Sequence, residues 1–234
     1  RGQLMGLRTG FHAIDTIMQG LQKSDFIVLA ARPSVGKTSL ALNIAENVAM
    51  KEGKSVGVFS LEMSKEQLVL RLLSSVTNID SYNLRSGYLK ELDFPKIADA
   101  MAKLEQAKIF IDDTASISVM ELRTKARRLK MEHSLDLLIV DYLQLMQPGQ
   151  MSRDGNRVQE VSEISRGLKA LARELEIPVI ALSQLSRQFQ DMGGKVISIT
   201  RHTANPLRAH ADAALVVCAH ERTPQVAQLL YRSA

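Results

Sequence analysis

Phe26-Ile-Val-Leu-Ala-Ala-Arg-Pro-Ser-Val-Gly-Lys-Thr-Ser-Leu40 reads as a strand, a tight turn and the start of a helix. The run from Phe26 to Ala31 is apolar and bounded by polar residues, as a strand buried on both faces of a parallel sheet is. Residues Ala31 to Thr38 fit the phosphate-binding loop, Gly-x-x-x-x-Gly-Lys-Ser/Thr, with Ala31 standing where the general pattern opens on Gly. In such a loop the backbone N–H groups, here those of Ser34, Val35, Gly36, Lys37, Thr38 and Ser39, face an anion, and the dipole of the helix adds to their pull. Gly36 lets the backbone pass close to the phosphates. Lys37 reaches the β- and γ-phosphates, and the Thr38 hydroxyl binds the accompanying Mg²⁺. The plainer alternative is an ordinary strand–turn–helix joint. Against it stands the order of the parts: Leu40, Ala41, Ile44, Ala45 and Val48 give one apolar helical face directly after Thr38.

Composition narrows the classes. The 234 residues, 45% of them hydrophobic, suffice for one large domain with its own core. Cys218 is the single cysteine, so no internal disulfide can form, which suits a reducing, cytoplasmic setting. It lies in the apolar run Leu215-Val-Val-Cys218, where a core role outweighs a nucleophilic one. No apolar stretch long enough to span a membrane occurs, and no signal peptide is visible. The chain opens on Arg1, as a fragment would. The net charge of +5 is compatible with a nucleic-acid partner, whereas 4% aromatic residues argue against a base-stacking platform.

The rest of the chain repeats one theme. Ahead of the first strand, the segment from Thr9 to Gln22 covers either the adenine side of a nucleotide site or an edge of the sheet. Ser55–Ser60 reads as a second strand and leads to Glu62. That carboxylate either polarises a water attacking a γ-phosphate or serves as N-terminal charge for a helix from Ser64 to Val76. Residues 80–106 read as interrupted helix, with Pro95 at a helix start. A third strand runs from Ala107 to Asp112, where Asp112 and Asp113 fit a cap and turn better than metal ligands. Val119, Leu122, Ala126 and Leu129 mark a helix whose basic residues, Arg123 to Lys130, form a solvated face or, in the rarer case, a DNA or subunit contact.

Leu135-Asp-Leu-Leu-Ile-Val-Asp-Tyr142 is the clearest strand. It ends at Asp141, the acid that a phosphate loop requires to hold Mg²⁺ through water. The loop from Gln147 to Asn156 carries Arg153, with Arg157 just beyond. It either lines a channel for a nucleic-acid backbone or is an ordinary surface loop. Val158, Val161, Ile164, Leu168, Leu171 and Leu175 then mark a long helix. The strand Pro178–Ser183 leads to Gln184, an amide that senses a γ-phosphate or caps locally. Lys37, Glu62, Asp141 and Gln184 thus all fall at strand ends or just after them, where open α/β sheets build their sites. The expectation is one α/β domain over residues 1–234, with a mostly parallel central sheet and helices on both faces.

Six stretches carry a family resemblance: Thr9-Gly-Phe, Ala30-Ala-Arg-Pro-Ser-Val-Gly-Lys-Thr38, Phe59-Ser-Leu-Glu-Met-Ser64, Leu138-Ile-Val-Asp-Tyr-Leu-Gln144, Arg157-Val-Gln-Glu-Val-Ser-Glu-Ile-Ser-Arg-Gly-Leu-Lys169 and Ala181-Leu-Ser-Gln-Leu-Ser-Arg187. Together they resemble the RecA-like P-loop motor domain of bacterial replicative DNA helicases of the DnaB family, over about residues 6–187. The resemblance implies a homohexameric ring, ATP and Mg²⁺ as cofactors, and 5′→3′ translocation on single-stranded DNA at the replication fork in the nucleoid. It also implies primase and helicase-loader partners. It makes Glu62 the catalytic carboxylate, Asp141 the Mg²⁺-linked acid, and Gln184 the coupler between nucleotide state and DNA loops.

The family's N-terminal domain and linker helix are not in this chain. Its trans-acting Lys-x-Arg finger is not recognisable either. Residues 188–234 depart from the family pattern, and Pro206-Leu-Arg-Ala-His-Ala-Asp-Ala213 keeps only fragments of it, with Arg208 matching a DNA-contacting arginine. A shifted reading frame would explain that segment. Two other functions stay open: a RecA-like recombination ATPase, and an ATP-binding assembly module with little turnover.

Overall fold

The computed structural model describes residues 5–31, 36–141, 146, 157–184, 195–199 and 213–218. Its centre is a seven-stranded sheet of β1 (Phe26–Ala31), β2 (Val56–Ser60), β3 (Ile109–Asp112), β4 (Leu137–Asp141), β5 (Val179–Gln184), β6 (Lys195–Ile199) and β7 (Ala213–Cys218). The order across the sheet is β3-β2-β4-β5-β1-β7-β6. The first five in that order run parallel; β7 pairs antiparallel with β1, and β6 antiparallel with β7. The five expected strands are the five parallel ones. The two antiparallel strands lie beyond Arg187, and the Cys218 run is β7.

Period-two alternation distributes the core over two faces, because successive strand side chains point opposite ways. Phe26 and Val28 of β1, Leu138 and Val140 of β4, and Val179 and Ala181 of β5 face one way. They pack with Leu122 and Ala126 of α6 (Val119–His133) and with Ile164, Leu168, Leu171 and Leu175 of α7 (Arg157–Leu175). Ile27, Leu29, Leu137, Ile139, Ile180 and Leu182 face the other way. There they meet Ala41, Ile44 and Ala45 of α2 (Lys37–Glu46) and Leu68 and Leu72 of α3 (Lys65–Thr77). Each fully buried Leu or Ile contributes about 1.5–3 kcal/mol. The α6–α7 pair packs closely because α7 presents Gly167, where an added Cβ would lie 2.7 Å from the Val119 side chain.

The segment ahead of β1 contains α1 (His12–Met18) and lies over the α2 face rather than along a sheet edge. Asp15, 5% exposed, accepts from the Thr9 N–H and hydroxyl, both at 2.8 Å. Asn47 Nδ2 in turn donates to the Thr9 carbonyl at 3.0 Å. Asn47 opens a π-helical turn, Asn47–Lys51, that continues α2, so the clasp sits at the end of α2 remote from the phosphate loop. Gly10 is required between them: its φ is +82°, and a Cβ there would lie 2.2 Å from the Asn47 amide.

The remaining helices are α4 (Ser81–Ser86) and α5 (Asp93–Gln106), and Pro95 stands in the first turn of α5. The basic residues of α6 are solvated but paired within the chain. Arg123 and Arg127 hold Glu174, Lys125 holds Asp112, Arg128 holds Glu132, and Lys130 donates to the Leu135 carbonyl.

Candidate nucleotide site

Four neighbouring parallel strands, β2-β4-β5-β1, end on the same side of the sheet. The register aligns their ends: Ser60 is opposite Asp141, and Ala31 is opposite Gln184. The turn after β2 carries Glu62, β4 ends in Asp141, β5 ends in Gln184, and Lys37 follows β1 by six residues at the start of α2. Parallel connections produce this, since every crossover returns the chain to the same edge.

The phosphate-loop helix α2 begins after Gly36, whose φ of +99° suits a residue without Cβ. Its first residues meet the end of β4. The Thr38 hydroxyl donates to Asp141 Oδ2 at 2.7 Å. Lys37 Nζ lies 3.7 Å from Asp141 Oδ1, with the two side chains 11% and 4% exposed. Asp141 Oδ1 is buried and accepts no hydrogen bond among the described residues. A hydroxyl and a buried carboxylate oxygen are the hard donors that Mg²⁺ takes, usually with several waters kept, so the pair fits that ion.

Ser39, next along α2, accepts from Arg71 Nη1 at 3.1 Å. Arg71 is on α3, beside a groove between α2, α3 and α4 that Asn43, Tyr82 and Arg85 also line. One Arg in an amphipathic helix carries no local signal in the sequence; only the packing of α3 on α2 brings Arg71 to Ser39.

Glu62 is exposed, in the turn between β2 and α3. The start of α3 is satisfied by other groups. Ser64 is its N-cap and forms a capping box with Gln67, and the Lys65 N–H donates to Asp113 Oδ2 at 3.0 Å. Asp113 therefore caps a helix far from it in sequence. Asp112 accepts from the Thr114 N–H, as a turn aspartate does. Burial pushes the Asp112 carboxyl up, but the Lys125 and Thr114 hydrogen bonds outweigh it and hold the group below its ordinary range.

Ser34, Val35, Arg153 and Arg208 lie outside the described residues. Arg157 is the first residue of α7, and Gln184 the last of β5. No helix among the described residues is long and apolar enough to cross a membrane.

The DnaB-like helicase C-terminal domain family matches residues 6–203, so the match extends past Arg187. The replicative DNA helicase DnaB of Geobacillus stearothermophilus is 55% identical over 194 residues, 83% of this chain and 42% of that protein. The replicative DNA helicase DnaC of Bacillus subtilis (strain 168) is 56% identical over 195 residues, 83% of this chain and 43% of that protein. The chain thus spans less than half the length of these curated relatives. Among solved structures, a DnaB-like replicative helicase described with its interactions with primase aligns with a TM-score of 0.75 at 33% identity, over 85% of this chain and 48% of that one. A second solved structure, described as an ATPase domain, aligns with a TM-score of 0.74 at 35% identity, over 82% of this chain and 68% of that one. The mostly parallel sheet, the helices on both its faces and these neighbours make the fold RecA-like α/β, and the chain belongs to the DnaB-like helicase C-terminal domain family.

Proposed function

We propose that this chain is the ATP-hydrolysing motor domain of a replicative DNA helicase, acting in the cytoplasm at the replication fork. The observation that carries the reading is the contact of Thr38 and Lys37 with Asp141 across the sheet. In this reading the backbone of Ser34 to Ser39 and the Lys37 ammonium hold the ATP phosphates. Thr38 and Asp141 hold Mg²⁺, which when bound neutralises charge on the phosphate oxygens. Glu62 takes up the proton of the attacking water. Its availability for that role is supported by Ser64, Gln67 and Asp113, which already cap α3.

Gln184 couples the nucleotide state to loops that grip a DNA backbone, with Arg153, Arg157 and Arg208 as the candidate phosphate contacts. The working form is a homohexameric ring moving 5′→3′ on single-stranded DNA, with primase and a helicase loader as partners. This follows the family, two of whose members are named replicative helicases.

The test is ATP hydrolysis with and without single-stranded DNA, for the unaltered chain and for Lys37→Ala. DNA-stimulated turnover that Lys37→Ala abolishes is the expected result. Magnesium-dependent nucleotide binding without any turnover would instead make the chain an assembly module.

A further inference from the structure

Ser60 brings a buried hydroxyl to the edge of the site. Ser60, the last residue of β2, is 1% exposed. A serine at a strand end needs only one partner to be satisfied, and a strand carbonyl would serve. Ser60 instead makes both its bonds to one residue beyond the strand. Its hydroxyl donates to the Met63 carbonyl at 2.7 Å and accepts from the Met63 N–H at 3.1 Å. Leu61 and Glu62 are thereby closed into a tight turn. The same turn is tied to β4, since the Leu61 N–H donates to the Asp141 carbonyl at 2.6 Å. Ser60 is also opposite Asp141 in the sheet register, and it borders the same small cavity as Thr38 and Asp141.

We propose that Ser60 is a positioning residue for hydrolysis: its hydroxyl fixes the backbone from which Glu62 projects, in register with Asp141 and the phosphate loop. The proposal rests on the reading of Glu62 as the group that takes the water's proton. That carboxylate is exposed, and no side-chain hydrogen bond or ion pair holds it among the described residues. Its placement therefore comes from its backbone, and the Ser60 clasp and the Leu61 bond are what fix that backbone. A displacement of about 1 Å at such a group can cost about a hundredfold in rate. Nucleotide binding depends on the start of α2 and on the Asp141 carboxylate, and the Ser60–Met63 bonds touch neither, so it should be spared.

Variants at Ser60 and Glu62 test the proposal, with steady-state ATP hydrolysis in the presence of single-stranded DNA and thermal melting as readouts. Ser60→Ala is expected to lower kcat about 10–100-fold while the KM for ATP and the melting temperature stay nearly unchanged. Glu62→Gln is expected to lower kcat at least as far, and Ser60→Ala combined with Glu62→Gln to be no slower than Glu62→Gln alone. Should Ser60→Ala fail to fold, Ser60→Thr and Ser60→Val are nearly isosteric, and only the threonine variant should keep its turnover. Full kcat in Ser60→Ala or Ser60→Val, or multiplicative losses in the double variant, overturns the role of Ser60 while leaving Glu62 standing. Full kcat in Glu62→Gln, or no turnover in the unaltered chain, overturns the reading of Glu62 and the proposal with it.

Discussion

The carboxylate of Asp141 has two oxygens in different situations. Oδ2 accepts from Thr38, whereas Oδ1 has, among the described residues, only the Lys37 ammonium at 3.7 Å. Replacing it by asparagine keeps the shape and one acceptor but removes the charge. Asp141→Asn should therefore fold normally and lose about 10–100-fold in magnesium affinity in the presence of nucleotide, the usual cost of altering a group that supports a metal site. Titration of a fluorescent nucleotide at graded magnesium concentrations measures this; unchanged magnesium dependence would remove Asp141 from the metal site.

The pairing of Thr38 with Asp141 was legible in the sequence because a phosphate loop demands an acid at the end of a neighbouring strand. Ser60 and Arg71 were not legible. A single serine at a strand end looks like any other, and Arg71 reaches Ser39 only through the packing of one helix on another. The same holds for Asp113, whose role as a cap for α3 joins residues 48 apart.

Among the elements, α6 and α7 show how charge and close packing combine. Gly167 lets the helices approach, and Glu174 at the end of α7 receives Arg127 and Arg123 of α6. The Arg127 hydrogen bond, with burial opposing it and Arg123 adding to it, holds the Glu174 carboxyl below its ordinary value. A carboxyl pKa lowered by folding contributes stability that is fully present above the unfolded value, about 4.3, and is lost as pH falls through the folded value. Glu174→Gln should therefore melt at a slightly lower temperature than the unaltered chain at pH 7, and the two melting curves should converge below about pH 4.3. The effect is small, because the side chains are partly exposed and water screens them. A melting difference that persists undiminished in acid would mean that packing, not charge, carries the contact. The helix faces were readable here from the spacing of Leu122, Ala126, Leu168 and Leu171, but the pairing of Arg123 with Glu174 was not, since it depends on how α6 and α7 meet.

At the scale of the molecule, the five parallel strands were readable because each is an apolar run bounded by polar residues, with a helix between successive runs. The other two were not, because they pair antiparallel, and no apolar helical period separates Lys195–Ile199 from Ala213–Cys218 in the sequence to mark them as successive strands. Their place in the sheet nevertheless has a consequence for the site. β1, which feeds the phosphate loop, pairs with β5 on one side and along its whole length, Phe26 to Ala31, with β7 on the other. Without β7, β1 would present an open row of N–H and C=O groups beside side chains such as Ile27 and Leu29, both 0% exposed. An uncovered, apolar edge strand invites pairing between chains. A chain ending at Arg187 is therefore expected to self-associate at micromolar concentration and to bind magnesium–nucleotide more weakly than the 234-residue chain. Light scattering and nucleotide titration on both lengths measure the two effects. A shortened chain that stays monodisperse and binds nucleotide equally well would show that β1 does not depend on β7, and that residues 188–234 add nothing to the stability of the site.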